Sequence, residues 1–379
     1  MSKFKPTPIT LSAIAALAFI ATARADEPQT AAEYYKRGRA LASRGQTNAA
    51  LEDYNKAVEL NPKYTAAYVS RGIIYSRRSG QKNRDAAMRE YNMALEINPQ
   101  YASAYFNRGI EQYRKGDRDA TLHDYGKAIE FDPKHSMAYS HRANVHLDKG
   151  DFDAALRDCA RAIEADPKNH NAHYNRGRTH YHMGDPDAAL ADFNAAIRIA
   201  PRERAAYSGR GDTLLKKGDF DAVIANYDAA IRMHPGDSSF WINRGAARSQ
   251  KGEHDAALRD FNKAVELAPR SANAYAERGE AFTRMGDYES AIRDFDKALE
   301  ISPRWAYAYR LRGIAHRKKG DYDAAIRDFE KVLEINPAAT LSRAELDLTI
   351  RVRNGEVVEW DDGQTAPPDV EGEGDLPLQ

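Results

Sequence analysis

The sequence predicts an all-α solenoid built from stacked helix-turn-helix units, and three regularities in its 379 residues carry that prediction. Proline stands at Pro99, Pro133, Pro167, Pro201, Pro235, Pro269, Pro303 and Pro337, each 34 residues from the next, with Pro62 leading by 37. Glycine keeps the same phase at Gly38, Gly72, Gly109, Gly177, Gly211, Gly245, Gly279 and Gly313, and Ala143 fills the remaining place. A small–aromatic–small triad recurs with spacings of four and three, from Ala50/Tyr54/Ala57 to Ala325/Phe329/Val332. Those spacings share one face of an α-helix, and a fixed period of 34 marks a repeat array whose units stack on their neighbours.

The elements follow in order. Lys3 and Lys5 precede an apolar run from Ile9 to Ala23, and Ala23-Arg24-Ala25 offers a small-x-small cleavage site. Residues 1–25 therefore read as a secretory signal cut before Asp26, in preference to a retained anchor, because the run is short for a membrane span. Nine repeats are predicted, at 31–64, 65–101, 102–135, 136–169, 170–203, 204–237, 238–271, 272–305 and 306–339, with a three-residue insertion near Ser79 to Arg84. Within each, a first helix should stop at a glycine, as at Gly150, and an Asp such as Asp151 should cap the second. Proline ends that second helix because it has no N–H to donate and clashes with the preceding turn. Residues 340–353 read as a capping helix, amphipathic from about Leu341, with Ser342 and Glu345 at capping-box spacing. From Asn354 to Gln379 there are eight carboxylates and no Lys or Arg, the composition of an acidic disordered tail.

Numbered within the repeat, the aromatic at position 4, Gly at 8, Ala at 20, aromatic at 24 and Pro at 32 resemble the tetratricopeptide repeat across all nine units. Position 4 reads Tyr34, Tyr68, Tyr105, Tyr139, His173, Tyr207, Trp241, Tyr275 and Tyr309, so only His173 departs from an aromatic carbocycle. Position 7, Leu in the general pattern, is Arg in every repeat, and position 23 is acidic in all but one. Pairs such as Arg108/Asp124, Arg142/Asp158, Arg176/Asp192 and Arg244/Asp260 are expected to form a structural ladder between the two helices of a repeat.

The resemblance implies a right-handed superhelix whose first helices line a concave face where extended peptides bind. On matching positions this chain carries Lys36, Arg39, Arg77, Arg114, Arg178, Lys216, Arg284 and Arg310, with Arg317 and Lys318, against Asp148, Asp212, Glu277 and Glu280. Asn107, Asn175 and Asn243 resemble the asparagines that hold peptide backbone in some members, an amide being both donor and acceptor. The carboxylate clamp of related domains is absent from the matching positions. A basic groove draws acidic extended chains, and the acidic tail from Glu356 to Asp375 is a candidate competitor for it.

Composition and charge exclude other classes. Hydrophobic residues at 42% and charged residues at 30% support a packed core, while a mean hydropathy of −0.71 excludes a polytopic membrane protein. Without residues 1–25 there are 53 basic and 56 acidic residues, which speaks against nucleic acid, and no stable membrane span remains once the signal is removed. No phosphate loop, nucleophile elbow, H-E-x-x-H or C-x-x-C is present, so neither an enzyme nor a cofactor is indicated. Cys159 replaces a core aromatic and reads as a buried thiol. His141, His146, His170, His173, His180 and His182 cluster in two repeats, but no carboxylate is spaced to complete a metal set, so no metal is expected. The sequence thus reads as an exported bacterial-type scaffold or adaptor with protein or peptide partners, the alternative being an accessory of polysaccharide or outer-membrane assembly.

Overall fold

The computed structural model describes residues 28–356. The expected signal and nearly all of the acidic tail lie outside the described residues. Within them the chain forms nineteen helices and no strand. In chain order these are α1 (Ala31–Ser43), α2 (Thr47–Leu60), α3 (Thr65–Arg77), α4 (Gln81–Ile97), α5 (Ala102–Lys115), α6 (Arg118–Phe131) and α7 (Ser136–Asp148). They continue as α8 (Phe152–Ala165), α9 (His170–His182), α10 (Pro186–Ile199), α11 (Arg204–Lys216), α12 (Phe220–Met233) and α13 (Ser238–Gln250). The last six are α14 (His254–Leu267), α15 (Ala272–Met285), α16 (Tyr288–Ile301), α17 (Ala306–Lys319), α18 (Tyr322–Ile335) and α19 (Thr340–Arg353). The chain divides into two compact units, Met1–Thr179 and His180–Gln379. In the first unit each helix from α1 to α8 packs on its neighbours in sequence, and in the second so do those from α10 to α19.

Local chemistry sets the turns. Gly150 takes φ +78°, a region that costs a side chain dearly, and its N–H bonds Leu147 O while Asp151 N–H reaches His146 O. Asp151 then caps α8 by accepting from Ala154 N at 3.1 Å. The insertion of the second repeat adds a turn to its second helix, so α4 has 17 residues where α2 and α6 have 14.

The position-4 ring explains why proline and tyrosine keep step. Tyr68 Oη donates to Pro62 O at 3.2 Å, and Tyr105, Tyr207, Tyr275 and Tyr309 each bond the proline carbonyl six residues earlier. Trp241 makes the same bond with Nε1 at 3.1 Å, and His173 Nε2 lies 3.4 Å from Pro167 O. A proline carbonyl at a helix end lacks an intrahelical donor, and the ring supplies one. Residue types that look unlike one another in sequence are equivalent here because each ends in a polar atom at similar reach.

The core lies where two helices of a repeat touch, with the triad alanines fully buried and their aromatics nearly so. Glycine at position 8 permits this contact: a Cβ at Gly38 would stand 2.7 Å from Tyr54 Cε1, and one at Gly245 would stand 2.8 Å from Phe261 Cε1. The fourth repeat departs at both places together. Ala143 replaces the glycine and Cys159 the aromatic, and both are fully buried. A smaller partner leaves room for the added methyl, so the two exceptions are one compensated change.

One sequence expectation is corrected. Ser342 does not cap the terminal helix with Glu345 as its box partner. α19 begins at Thr340 after Ala339, with no side-chain cap bond; Ser342 is fully buried inside its first turn and Glu345 pairs with Arg310. The seam against α18 needs that face, and packing overrides the local signal.

The compensation at Ala143 and Cys159 is testable by denaturant unfolding. Cys159→Phe alone should destabilise the chain by about 1–3 kcal/mol through overpacking, and adding Ala143→Gly should recover most of the loss. Additive costs would show that the two sites are independent.

Candidate functional site

The position-7 arginines connect three structural layers. Arg108 Nε donates to Asp124 Oδ2 at 2.7 Å and Nη2 to Oδ1 at 2.8 Å, while Nη1 reaches Asn92 Oδ1 on the preceding second helix at 2.9 Å. Its guanidinium lies over the Tyr105 ring, 5.4 Å from the centroid. Arg244 repeats this with Asp260 and Asp228 over Trp241, and Arg278 with Asp294 and Asn262 over Tyr275. Arg142 makes both bonds to Asp158 at 2.7 Å, but the place of its third acceptor is Gly126. Arg176 sits half-buried on α9, and Asp192 is buried on α10.

Electrostatics follow the partner. The Asp124 hydrogen bonds hold the Arg108 guanidinium above its ordinary pKa, whereas Arg210, facing neutral Asn226, is pulled below it by burial. The third arm escaped the sequence reading, although its signal is present as a column at position 25: Asn55, Asn92, Asn194, Asp228, Asn262 and Asp296.

In the first unit most of the expected groove side chains are engaged within the protein. Asn175 is 7% exposed and donates to Ser140 O at 3.0 Å, and Asn107 donates to Ser103 O on its own helix. Arg178 Nη1 bonds Asn144 Oδ1, Asn144 Nδ2 bonds Tyr113 Oη, and Tyr113 Oη donates to Asp148, a relay across α5, α7 and α9. Arg114 pairs with Glu111, a fully buried carboxylate that also accepts from Ser76 Oγ. Lys36, Arg39 and Arg77 are different. All three are exposed and none has a hydrogen-bond or ion-pair partner among the described residues.

A cleft of roughly 470 Å³ runs along α1, lined by Tyr35, Lys36, Arg39 and, from beyond α2, Tyr64. The Tyr35 and Tyr64 rings are 5.1 Å apart at 55°, the Arg39 guanidinium is 6.0 Å from the Tyr35 centroid, and Ser70 Oγ bonds Tyr35 Oη at 3.4 Å.

In the second unit Lys216 Nζ lies 5.2 Å from the Tyr181 ring centroid, Asn243 donates to Tyr227 Oη, Arg284 pairs with Glu280 and Arg310 with Glu345. Glu277, beside Glu280, has its carboxyl pushed up to about 7 by burial and by that neighbouring charge. The charge of the expected groove is therefore uneven: Lys36, Arg39 and Arg77 on α1 and α3, and Lys318 on α17, carry no hydrogen bond or ion pair among the described residues, whereas Glu277 and Glu280 stand together on α15.

Carboxylates stand beside single rings: His146 Nδ1 is 3.6 Å from Asp151 Oδ2 and its Nε2 3.9 Å from Asp158 Oδ2, while His180 Nε2 is 3.9 Å from Asp192 Oδ2. No group of three or more His, Cys, Asp or Glu could hold a metal ion among the described residues. Cys159 is a fully buried free thiol. Among the described residues no helix is long and apolar enough to cross a membrane.

Comparison with known proteins agrees with this architecture. Two family patterns described as "Tetratricopeptide repeat" match residues 106–169, 141–204 and 208–272, and residues 270–338, and one described as "TPR repeat" matches 28–78 and 81–116. No curated protein matches the chain. Among solved structures, the APC/C hetero-tetramer Cut9–Hcn1 is similar at 15% identity and a TM-score of 0.51, over 84% of this chain and 76% of that one. A tetratricopeptide repeat protein from Parabacteroides merdae ATCC 43184 is similar at 20% identity and a TM-score of 0.51, over 66% of this chain and 98% of that one. These likenesses show the helical-repeat fold.

Two measurements test the energetics. A double-mutant cycle on Arg278→Met and Asp294→Leu should show a coupling energy of at least about 1 kcal/mol, since removing either partner alone strands a largely buried charge; zero coupling would remove the pair from the scaffold's stability. The second is pH dependence. His141, packed on Phe106 and near the Tyr125 hydroxyl, is held down to about 4 by burial from an ordinary 6.5. The unfolded chain takes up that proton first, so stability present above pH 6.5 should fall toward pH 4, by on the order of 3 kcal/mol, and His141→Phe should flatten this slope. Glu277 works in the opposite direction. Its folded form keeps the proton up to about 7, so its contribution should decline as pH rises from about 4.5 to 7, and Glu277→Gln should abolish that decline in thermal-melt series.

Proposed function

Because the chain belongs to the tetratricopeptide repeat family and is thereby a protein-interaction repeat protein, we propose that it acts as a non-enzymatic scaffold or adaptor of the bacterial cell envelope. It binds extended acidic peptide segments along its first helices. The observation that carries this reading is the trio Lys36, Arg39 and Arg77, exposed cations with no hydrogen-bond or ion-pair partner among the described residues, in a chain whose other expected groove residues, Lys216 and Lys318 apart, are mostly hydrogen-bonded or ion-paired within the fold. A cation already neutralised by a buried carboxylate adds little to the field that a partner meets, whereas unpaired cations on one unit raise the local concentration of acidic segments. Envelope residence rests on residues 1–25 as an export signal.

Capture from envelope extract on the mature chain tests the proposal. Retained protein that is released by about 0.5 M salt, and lost in Lys36→Gln/Arg39→Gln/Arg77→Gln, is the expected result. Retention of glycan without protein would favour the polysaccharide-assembly alternative instead. N-terminal sequencing of exported protein should begin at Asp26.

A further inference from the structure

The cleft on α1 has chemistry of its own. Lys36 and Arg39 stand one turn apart on a single helix, and like charges at that spacing repel. Glu33, at the right spacing to neutralise Lys36, is occupied at the helix start, where its Oε2 accepts from Gln29 N at 2.8 Å and Thr30 N at 3.0 Å. Those bonds hold its carboxyl below the ordinary value, so it stays in that role as an anion. The floor between the cations and the helix ends is small, Ala32 and Ala40, while Tyr35 and Tyr64 form an aromatic wall beside it. From Ala32 to Ser43 the helix offers about 16 Å of length, room for about five residues of extended chain.

We propose that this cleft anchors a partner segment that carries an acidic residue beside an aromatic one. The carboxylate lies between Lys36 Nζ and the Arg39 guanidinium and relieves their repulsion, and the ring lies against Tyr35 and Tyr64 in an offset or edge arrangement. Neither group alone fits: a lone carboxylate leaves the tyrosine wall facing water, and a lone ring leaves the two cations uncompensated. The inference rests on the peptide-binding reading above and narrows it to one residue pair at one end of the array.

Three fluorescent heptapeptides, differing only in a central Glu–Phe, Gln–Phe or Glu–Ala pair, would be titrated against the mature chain by anisotropy, beside a decaglutamate. Gln–Phe and Glu–Ala should each bind roughly five- to tenfold more weakly than Glu–Phe, about 1 kcal/mol for each lost contact. In Lys36→Gln/Arg39→Gln, a change confined to exposed helix positions, Glu–Phe and Gln–Phe should bind alike. In Tyr64→Leu, Glu–Phe and Glu–Ala should converge. If decaglutamate binds but the Glu–Phe peptide is indifferent to both variants, the cleft inference fails while the scaffold reading stands. If neither probe binds, both fail.

Discussion

An arginine held in both oxygens of a buried aspartate, with its flat face on an aromatic ring and its last arm on the helix of the previous repeat, ties three helices together at a single side chain. The geometry leaves little freedom. A guanidinium is planar, so satisfying Asp294 bidentately fixes the plane that also meets the Tyr275 ring and directs Nη1 at Asn262. The same ring is tethered through its hydroxyl to Pro269 O, which fixes the connection into the repeat. Apolar packing of alanine on aromatic supplies the bulk of the burial, but such a surface is tolerant of sliding. The charged fork is directional, and a slip of one helical step would leave a carboxylate buried without its cation.

That division of labour bears on function. Polar side chains on the first helices have two competing uses, bracing neighbouring repeats or meeting a partner, and one hydrogen-bonding group cannot be fully committed to both. In the first unit the relay from Arg178 through Asn144 and Tyr113 to Asp148 spends them on bracing. Lys36 and Arg39 on α1 and Arg77 on α3 make no such bonds among the described residues. The candidate site is thus defined by residues left over after the fold has been satisfied.

Much of this was legible from sequence. The repeats, their turns and the Arg–Asp column depend on contacts at fixed short separations, 16 residues for Arg108 and Asp124, so periodicity exposes them. The paired oddity of Ala143 and Cys159 was visible but unexplained until a position-8 Cβ could be placed against a ring. The groove residues were less legible. Asn175 looks available in sequence, yet it is buried on Ser140 O, 35 residues away, and nothing in its own repeat signals that.

What the sequence determined by itself is therefore everything that recurs: helix pairs, the small–aromatic core, and the charge column that repeats with them. Identical local environments impose identical residue types, and repetition turns a weak propensity into a firm reading. The tertiary structure alone decided which of many similar cations are free. Availability depends on what the adjacent layer places opposite each side chain, and in this chain Glu111, Asn144, Glu280 and Glu345 are not periodic. Arg39 and Arg77 stand at the repeat positions of Arg178 and Arg114, and differ from them in having no hydrogen-bond or ion-pair partner among the described residues.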